Sequence, residues 1–296
     1  MDKRKLGITL TIIGSIFWGF SGTAGSYLFT YKDATSDWLV PIRLFIAGFV
    51  LICVIAVRKG VKAAFGPWSN GKDALAQVLF SLLGMSLCQY AYFTCIQYSN
   101  AGVATTIEYI APAIILLYVC LRDRKLPSVT KVVALVFVFA GTVILATHGD
   151  LSTLSLSPLA LIWGLIAALA MCFYTLQPVD IIARYGTLTI LGWGMFIGGI
   201  VLGLIFRPFS IPVIFDIETV EMLVIVIFFG TILAFSMFLE GVQNVGPVDA
   251  SLISCVEPVA AVIISAVWLK TPFAIMDIVG MAVIILAITA LSLIKE

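Results

Sequence analysis

Three ionisable side chains interrupt long apolar stretches of the 296-residue chain: Arg43, Glu108 and Glu257. Charged groups at membrane depth are costly, so each is a functional candidate by default. A carboxylate there can bind an ammonium group or carry a proton. Glu257 is followed by Pro258, and Pro112 lies four residues after Glu108. A proline inside a helix removes one N–H, so the carbonyls of Ser254 and Glu108 lose their usual partners. Each place therefore combines a kink, a freed carbonyl and an acid, all able to face a central cavity. Aromatic and amide side chains of the same stretches, Trp18, Gln89, Tyr90, Tyr92, Tyr109, Trp163, Tyr174 and Phe235, are candidates for its lining. Asp180, Glu240, Asp249 and Asp277 lie near helix ends and read as solvated or capping.

Covalent chemistry has little to work with. The only histidine, His148, falls at the end of an apolar run, and no aspartate pair or Ser/His or Cys/His arrangement occurs in mid-run. The six cysteines (Cys53, Cys88, Cys95, Cys120, Cys172, Cys255) show neither CxxC nor Cys/His spacing and read as small core residues. No metal, cofactor or enzymatic activity is expected. A net charge of +1 with scattered basic residues gives no electrostatic case for nucleic acid as a partner. A channel is a weaker alternative, because nothing resembles a selectivity filter or a ring of like charges.

The elements that must carry these residues are membrane helices. The chain is 61% hydrophobic and 11% charged, outside the range of soluble domains. Its apolar runs cover about 6–28, 37–57, 74–97, 101–121, 130–148, 158–177, 188–206, 220–242, 247–269 and 273–294, each near the roughly 20 residues a crossing needs. Continuous runs without apolar/polar alternation exclude a β-barrel. The prediction is an all-α integral membrane protein of ten transmembrane helices. The first run is longer than a signal-peptide core and is kept as a helix, since removing it leaves an odd count. Glycines 192, 194, 198, 199 and 203 mark a close helix approach.

Charge sets the direction. With the N-terminus inside, the internal connections carry Lys3, Arg4, Lys5, Arg58, Lys59, Lys62, Lys72, Arg122, Arg124, Lys125, Lys131, Arg184 and Lys295, against Lys32, Arg207 and Lys270 outside. This bias predicts cytoplasmic termini and an external connection at Leu151 to Leu156. Counted from the helix ends at about 1.5 Å per residue, Glu257 comes near the midplane, while Arg43 and Glu108 lie at similar external depth and are expected to pair, directly or through water.

An internal repeat supports the count. Laying residues 84–120 over 230–266 matches Gly84 with Gly230, Gln97 with Gln243, Ala104 with Ala250, Ile107 with Ile253 and Pro112 with Pro258. The proline falls mid-helix in the fourth helix of each five-helix half, 1–149 and 150–296. Five is odd, so the halves insert in opposite senses, giving two inverted five-helix repeats with a site expected between them.

Nearly the whole chain resembles the EamA branch of the drug/metabolite transporter superfamily. The resemblance is carried by Trp18-Gly19, Arg43, the segment from Ala101 that ends Glu108-Tyr109-Ile110-Ala111-Pro112, Tyr174-Thr175 and Glu257-Pro258-Val259. One departure is that Asp123 past the fourth helix is answered by Lys270-Thr271-Pro272 past the ninth. The resemblance implies a plasma (inner) membrane carrier that exports amino acids or other metabolites by alternating access. Its expected partners are a small-molecule substrate and the bilayer, with protons a candidate coupling ion. The alternative is a multidrug exporter of organic cations. Sugar phosphates and nucleotide sugars fit poorly, since Arg43 is the one basic group at depth.

Overall fold

The computed structural model describes residues 2–99, 101–150, 157–268, 270 and 274–293. The expected external connection at 151–156 and Lys295 lie outside the described residues. Within them the chain runs through ten apolar helices: α1 Lys3–Tyr31, α2 Ser36–Lys59, α3 Gly71–Tyr98, α4 Ala101–Asp123, α5 Val129–Thr147, α6 Pro158–Leu176, α7 Thr187–Phe206, α8 Ile217–Val245, α9 Pro247–Trp268 and α10 Ile275–Leu293. They start where the sequence offers caps. Ser128, Ser157 and Asp216 each accept a backbone N–H of the following first turn through the side chain. They stop where the backbone turns left-handed, as at Arg124 and Lys270, which occupy matching places after α4 and α9. Between α8 and α9 a single glycine, Gly246 with φ +85°, reverses the chain, a conformation that a side chain would strain.

The repeat is visible in the backbone irregularities. The offset that lays Gly84 over Gly230 also lays a wide, π-helical stretch of α3, Phe80–Ser86, within the wide stretch Ile225–Leu233 of α8. It lays the break of α4 at Tyr109–Ile110 over the tightened turn Ser254–Val256 of α9. Both breaks immediately precede the prolines that cause them.

The helices of the two halves are exchanged. Helix α1 packs against α8 and α9, and α6 packs against α3 and α4, so one group of three is α1/α8/α9 and the other is α6/α3/α4. The equivalent pairs α2/α7 and α5/α10 join them. The α2/α7 crossing is close because of glycine: a Cβ on Gly48 would meet the backbone of Phe196, and one on Gly199 the backbone of Phe45. This is the approach expected of the α7 glycines, except at Gly203, which faces open space.

Each group of three is pinned at one end by an ion pair between halves. Lys32, after α1, reaches Asp216 and Glu218 at the start of α8, both at 2.6 Å. The ammonium and the Thr219 N–H hold the Asp216 carboxyl down to about 2. At the opposite end Arg184, after α6, meets Asp73 at the start of α3 at 2.8 Å. The Tyr185 hydroxyl also donates to Asp73, at 2.7 Å, which raises its pKa.

Candidate functional site

The breaks beside the two prolines meet between the helix groups. Near the break in α9 the Ser254 carbonyl, deprived of the residue-258 N–H, takes the Glu257 N–H in a tighter turn. It also accepts the Tyr109 hydroxyl from the break in α4, at 2.9 Å. The carbonyl is thus satisfied twice over, once locally and once from the other half. The same hydroxyl lies 3.0 Å from Glu257 Oε2, and Tyr92 of α3 donates to Oε1 at 3.3 Å. Tyr92 in turn pairs with Thr105 of α4 at 3.0 Å. One carboxylate of the α1/α8/α9 group is therefore held by two tyrosines of the α6/α3/α4 group.

Around this link lies a cavity of about 30 Å³ lined by α1 (Trp18, Ser21, Gly22), α2 (Arg43), α3 (Cys88, Gln89, Tyr92, Phe93), α4 (Glu108), α6 (Met171, Tyr174), α8 (Phe235) and α9 (Glu257). Both groups of helices contribute walls. Trp18 packs against Phe235 and Phe238, ring centroids 4.8 and 5.0 Å apart, and Tyr174 packs against the same two phenylalanines from α6. Glu108 is 9% and Glu257 7% exposed, and Arg43 is 1% exposed.

The expected pairing of Arg43 with Glu108 is not what the structure has. Arg43 Nε donates to Thr231 Oγ1 of α8 at 3.0 Å, and its guanidinium sits 4.6 Å from the centroid of the Phe93 ring. Glu108 Oε1 accepts the Cys88 thiol at 3.4 Å. Among the described residues no ion pair joins the two. Similar depth fixes height along a helix and not azimuth: α2 turns Arg43 toward α8, while α4 turns Glu108 toward α3. They line the same cavity from different sides.

Of the sequence candidates, Glu257, Glu108, Arg43, Trp18, Gln89, Tyr174 and Phe235 come together, with Tyr109 and Ser254 at the link. Tyr90 and Trp163 do not. They stack on each other's edge, Tyr90 also lies against Phe206, and its hydroxyl donates to Asp37 at 2.8 Å. Ser21, Gly22, Cys88, Phe93 and Met171 were not foreseen. Helical spacing carries part of the missing signal: Cys88, Gln89, Tyr92 and Phe93 share one face of α3, which Tyr90 leaves. Cys88 is a cavity wall and not only a core filler, and Cys53 is exposed on the outside of α2. Asp277 caps the Ala274 N–H as expected, but it is fully buried and also meets His148 Nδ1 at 2.7 Å.

A multi-pass chain whose inverted repeats each bring a broken helix to a shared cavity has the architecture of a secondary transporter. It belongs to the EamA-like transporter family, which it matches over residues 5–147 and again over 158–293, and so to the drug/metabolite transporter superfamily. It is 33% identical to YicL, an uncharacterized inner membrane transporter of Salmonella typhimurium, over 99% of this chain and 97% of that one. An uncharacterized transporter of Bacillus subtilis, YyaM, is 23% identical over 98% and 94% of the two chains. A solved protein structure with 17% identity superimposes with a TM-score of 0.76, covering 97% of this chain and 94% of that chain, which shows the shared fold. The chain is a transporter with a small-molecule substrate in a lipid bilayer.

Proposed function

We propose that the protein exports a small neutral or zwitterionic metabolite, in the first instance an amino acid, across the plasma membrane by alternating access, with both termini cytoplasmic. The observation that carries the reading is the Glu257 carboxylate of one helix group, bonded by Tyr92 and Tyr109 of the other beside a cavity that both groups line. A substrate ammonium brings three donors and a full charge, so it competes directly with two neutral hydroxyls for that carboxylate. Exchanging the tyrosine bonds for an ammonium loosens the link between the groups and lets them part, which couples occupancy to movement. A proton on Glu257 would do the same without substrate, so protons are the proposed coupling ion.

Proteoliposomes loaded with labelled amino acids, metabolic amines and lipophilic cations test this. The expected result is release of one or more amino acids, with a rate that depends on pH. Release confined to lipophilic cations would replace this reading with multidrug export. The aromatic walls Trp18, Phe93, Tyr174 and Phe235 beside two carboxylates favour that second reading.

A further inference from the structure

The cavity holds two carboxylates, yet donors without acceptors line it too. Arg43 is almost wholly buried, spends Nε on Thr231, and among the described residues finds no hydrogen-bond partner for Nη1. Trp18 Nε1 and Ser21 Oγ, both buried on α1 one helical turn apart, are also without partners among the described residues. All three residues line the same cavity. Consecutive residues of α8 hold this side together: Thr231 fixes Arg43, and Gly230 lies directly against Ser21. Buried polar atoms in folded proteins are nearly always paired; other unpaired atoms of this chain are scattered, whereas these three line one cavity. A guanidinium away from water and without an acid at hand is the costliest of them. The carboxylates are occupied elsewhere, Glu257 by the tyrosines and Glu108 by Cys88.

We propose that Arg43, with the Trp18 indole N–H and the Ser21 hydroxyl, is a subsite for the carboxylate of the substrate. A zwitterion then spans the cavity, its carboxylate at Arg43 and its ammonium at Glu257 and Glu108. This rests on the transport reading above and deepens it, because it states what the substrate must carry at its other end. The arginine is already oriented by Thr231 and by the Phe93 ring, so little side-chain freedom is lost on binding. A monoamine would leave the same orphans buried. A phosphate dianion would face two acids across a small cavity. The chemistry selects one carboxylate and one ammonium on a compact body.

The experiment compares each labelled amino acid released from proteoliposomes with its decarboxylated amine and its methyl ester at equal concentration. One charge-assisted bond distinguishes them, so the wild type should favour the amino acid by about 10- to 100-fold. Arg43→Gln should bring that ratio below about threefold. Trp18→Phe, which keeps an aromatic ring against Phe235 and Phe238, should cut the ratio by a few fold, as should Ser21→Ala. Should Arg43→Gln not fold, thermal stabilisation of the purified wild type by amino acid against amine and ester reads the same preference. Equal handling of all three compounds by the wild type would overturn the subsite while leaving a transporter of amines and amino acids. An undiminished preference in both the Trp18 and Ser21 variants would also overturn it. Release of lipophilic cations alone would remove the transport reading and the subsite together.

Discussion

Replacing Glu257 by glutamine keeps the shape of the side chain and removes its charge, which isolates what the charge does. The carboxylate accepts Tyr109 at 3.0 Å and Tyr92 at 3.3 Å. Glutamine keeps one acceptor oxygen and turns the other into a donor, so one tyrosine must rotate away. Both have somewhere to go, Tyr109 to the Ser254 carbonyl at 2.9 Å and Tyr92 to Thr105 at 3.0 Å. The structural loss is then about one hydrogen bond, ~1 kcal/mol, rising to ~3 kcal/mol where the bond is charge-assisted. The variant should therefore fold, with a midpoint only a few degrees lower. Transport should suffer far more, since the acceptor for the ammonium or the proton is gone. Net release from proteoliposomes should fall at least about tenfold and lose its pH dependence.

Pairing the change with Tyr109→Phe makes the reasoning quantitative. The two residues touch, so their stability effects should be non-additive by ~1 kcal/mol or more. Thermal unfolding of the four proteins in one detergent gives that coupling, and release assays in parallel give the functional loss. Wild-type flux with a wild-type pH profile in Glu257→Gln would make the acid structural. Strict additivity with Tyr109→Phe would mean that the Tyr109 bond to Glu257 contributes nothing to the link between the helix groups.

Arg43→Gln and Glu108→Gln, whose side chains do not meet, should have stability effects that add to within about 0.5 kcal/mol; rescue in the double variant would show a pairing in another conformation. Gly48→Ala puts a Cβ against the Phe196 backbone and should cost about 1–3 kcal/mol as overpacking, whereas Gly203→Ala at an open position should be neutral by the same unfolding assay. The Asp216 carboxyl is held at about 2 by Lys32, below its ordinary value near 4. The stabilisation it brings is thus present above about pH 4 and lost as pH falls toward 2, and Lys32→Met should flatten that part of the stability profile. A cysteine at Ser155, in a background with the six native cysteines replaced, should react with an impermeant thiol reagent in intact cells; labelling only after lysis would reverse the orientation.

The ten helices were legible because hydrocarbon imposes a simple rule: runs of about twenty apolar residues with caps or charges between them. The three charged cavity residues were legible for the converse reason, as ionisable side chains inside such runs. Which aromatic side chains join them was not. A run can be apolar on every face, so the pattern that locates the buried side of a soluble helix is missing. The wide turn Phe80–Ser86 adds to this, since it shifts the helical phase of everything after it in α3, including Gln89, Tyr90 and Tyr92. The identity of Arg43's partner failed on the same point, as depth can be counted along a sequence and azimuth cannot. The Thr231 that holds Arg43 lies in the other wide stretch, where its hydroxyl bonds back to the Val226 carbonyl at 2.7 Å.

The repeat is exact enough in its backbone to place wide turns, breaks and left-handed stops in register, yet its chemistry is not repeated. The position that matches Glu257 in the first half is Ala111, and the one that matches Glu108 in the second is Ser254. This division has a physical sense. Two halves with nearly the same backbone in opposite orientation can exchange shapes, so that closing one end and opening the other costs little net free energy. A moving part of this kind needs backbone symmetry. A binding site needs the opposite, because one small substrate offers one ammonium and one remaining end, and a second acid equivalent to Glu257 would double the buried charge without a ligand for it. The site is therefore expected to reject a swap between matching positions that adds an acid, so Ala111→Glu should lower folded yield. Equal tolerance of an acid at 111 and at 257 would break the argument that the site is asymmetric by necessity.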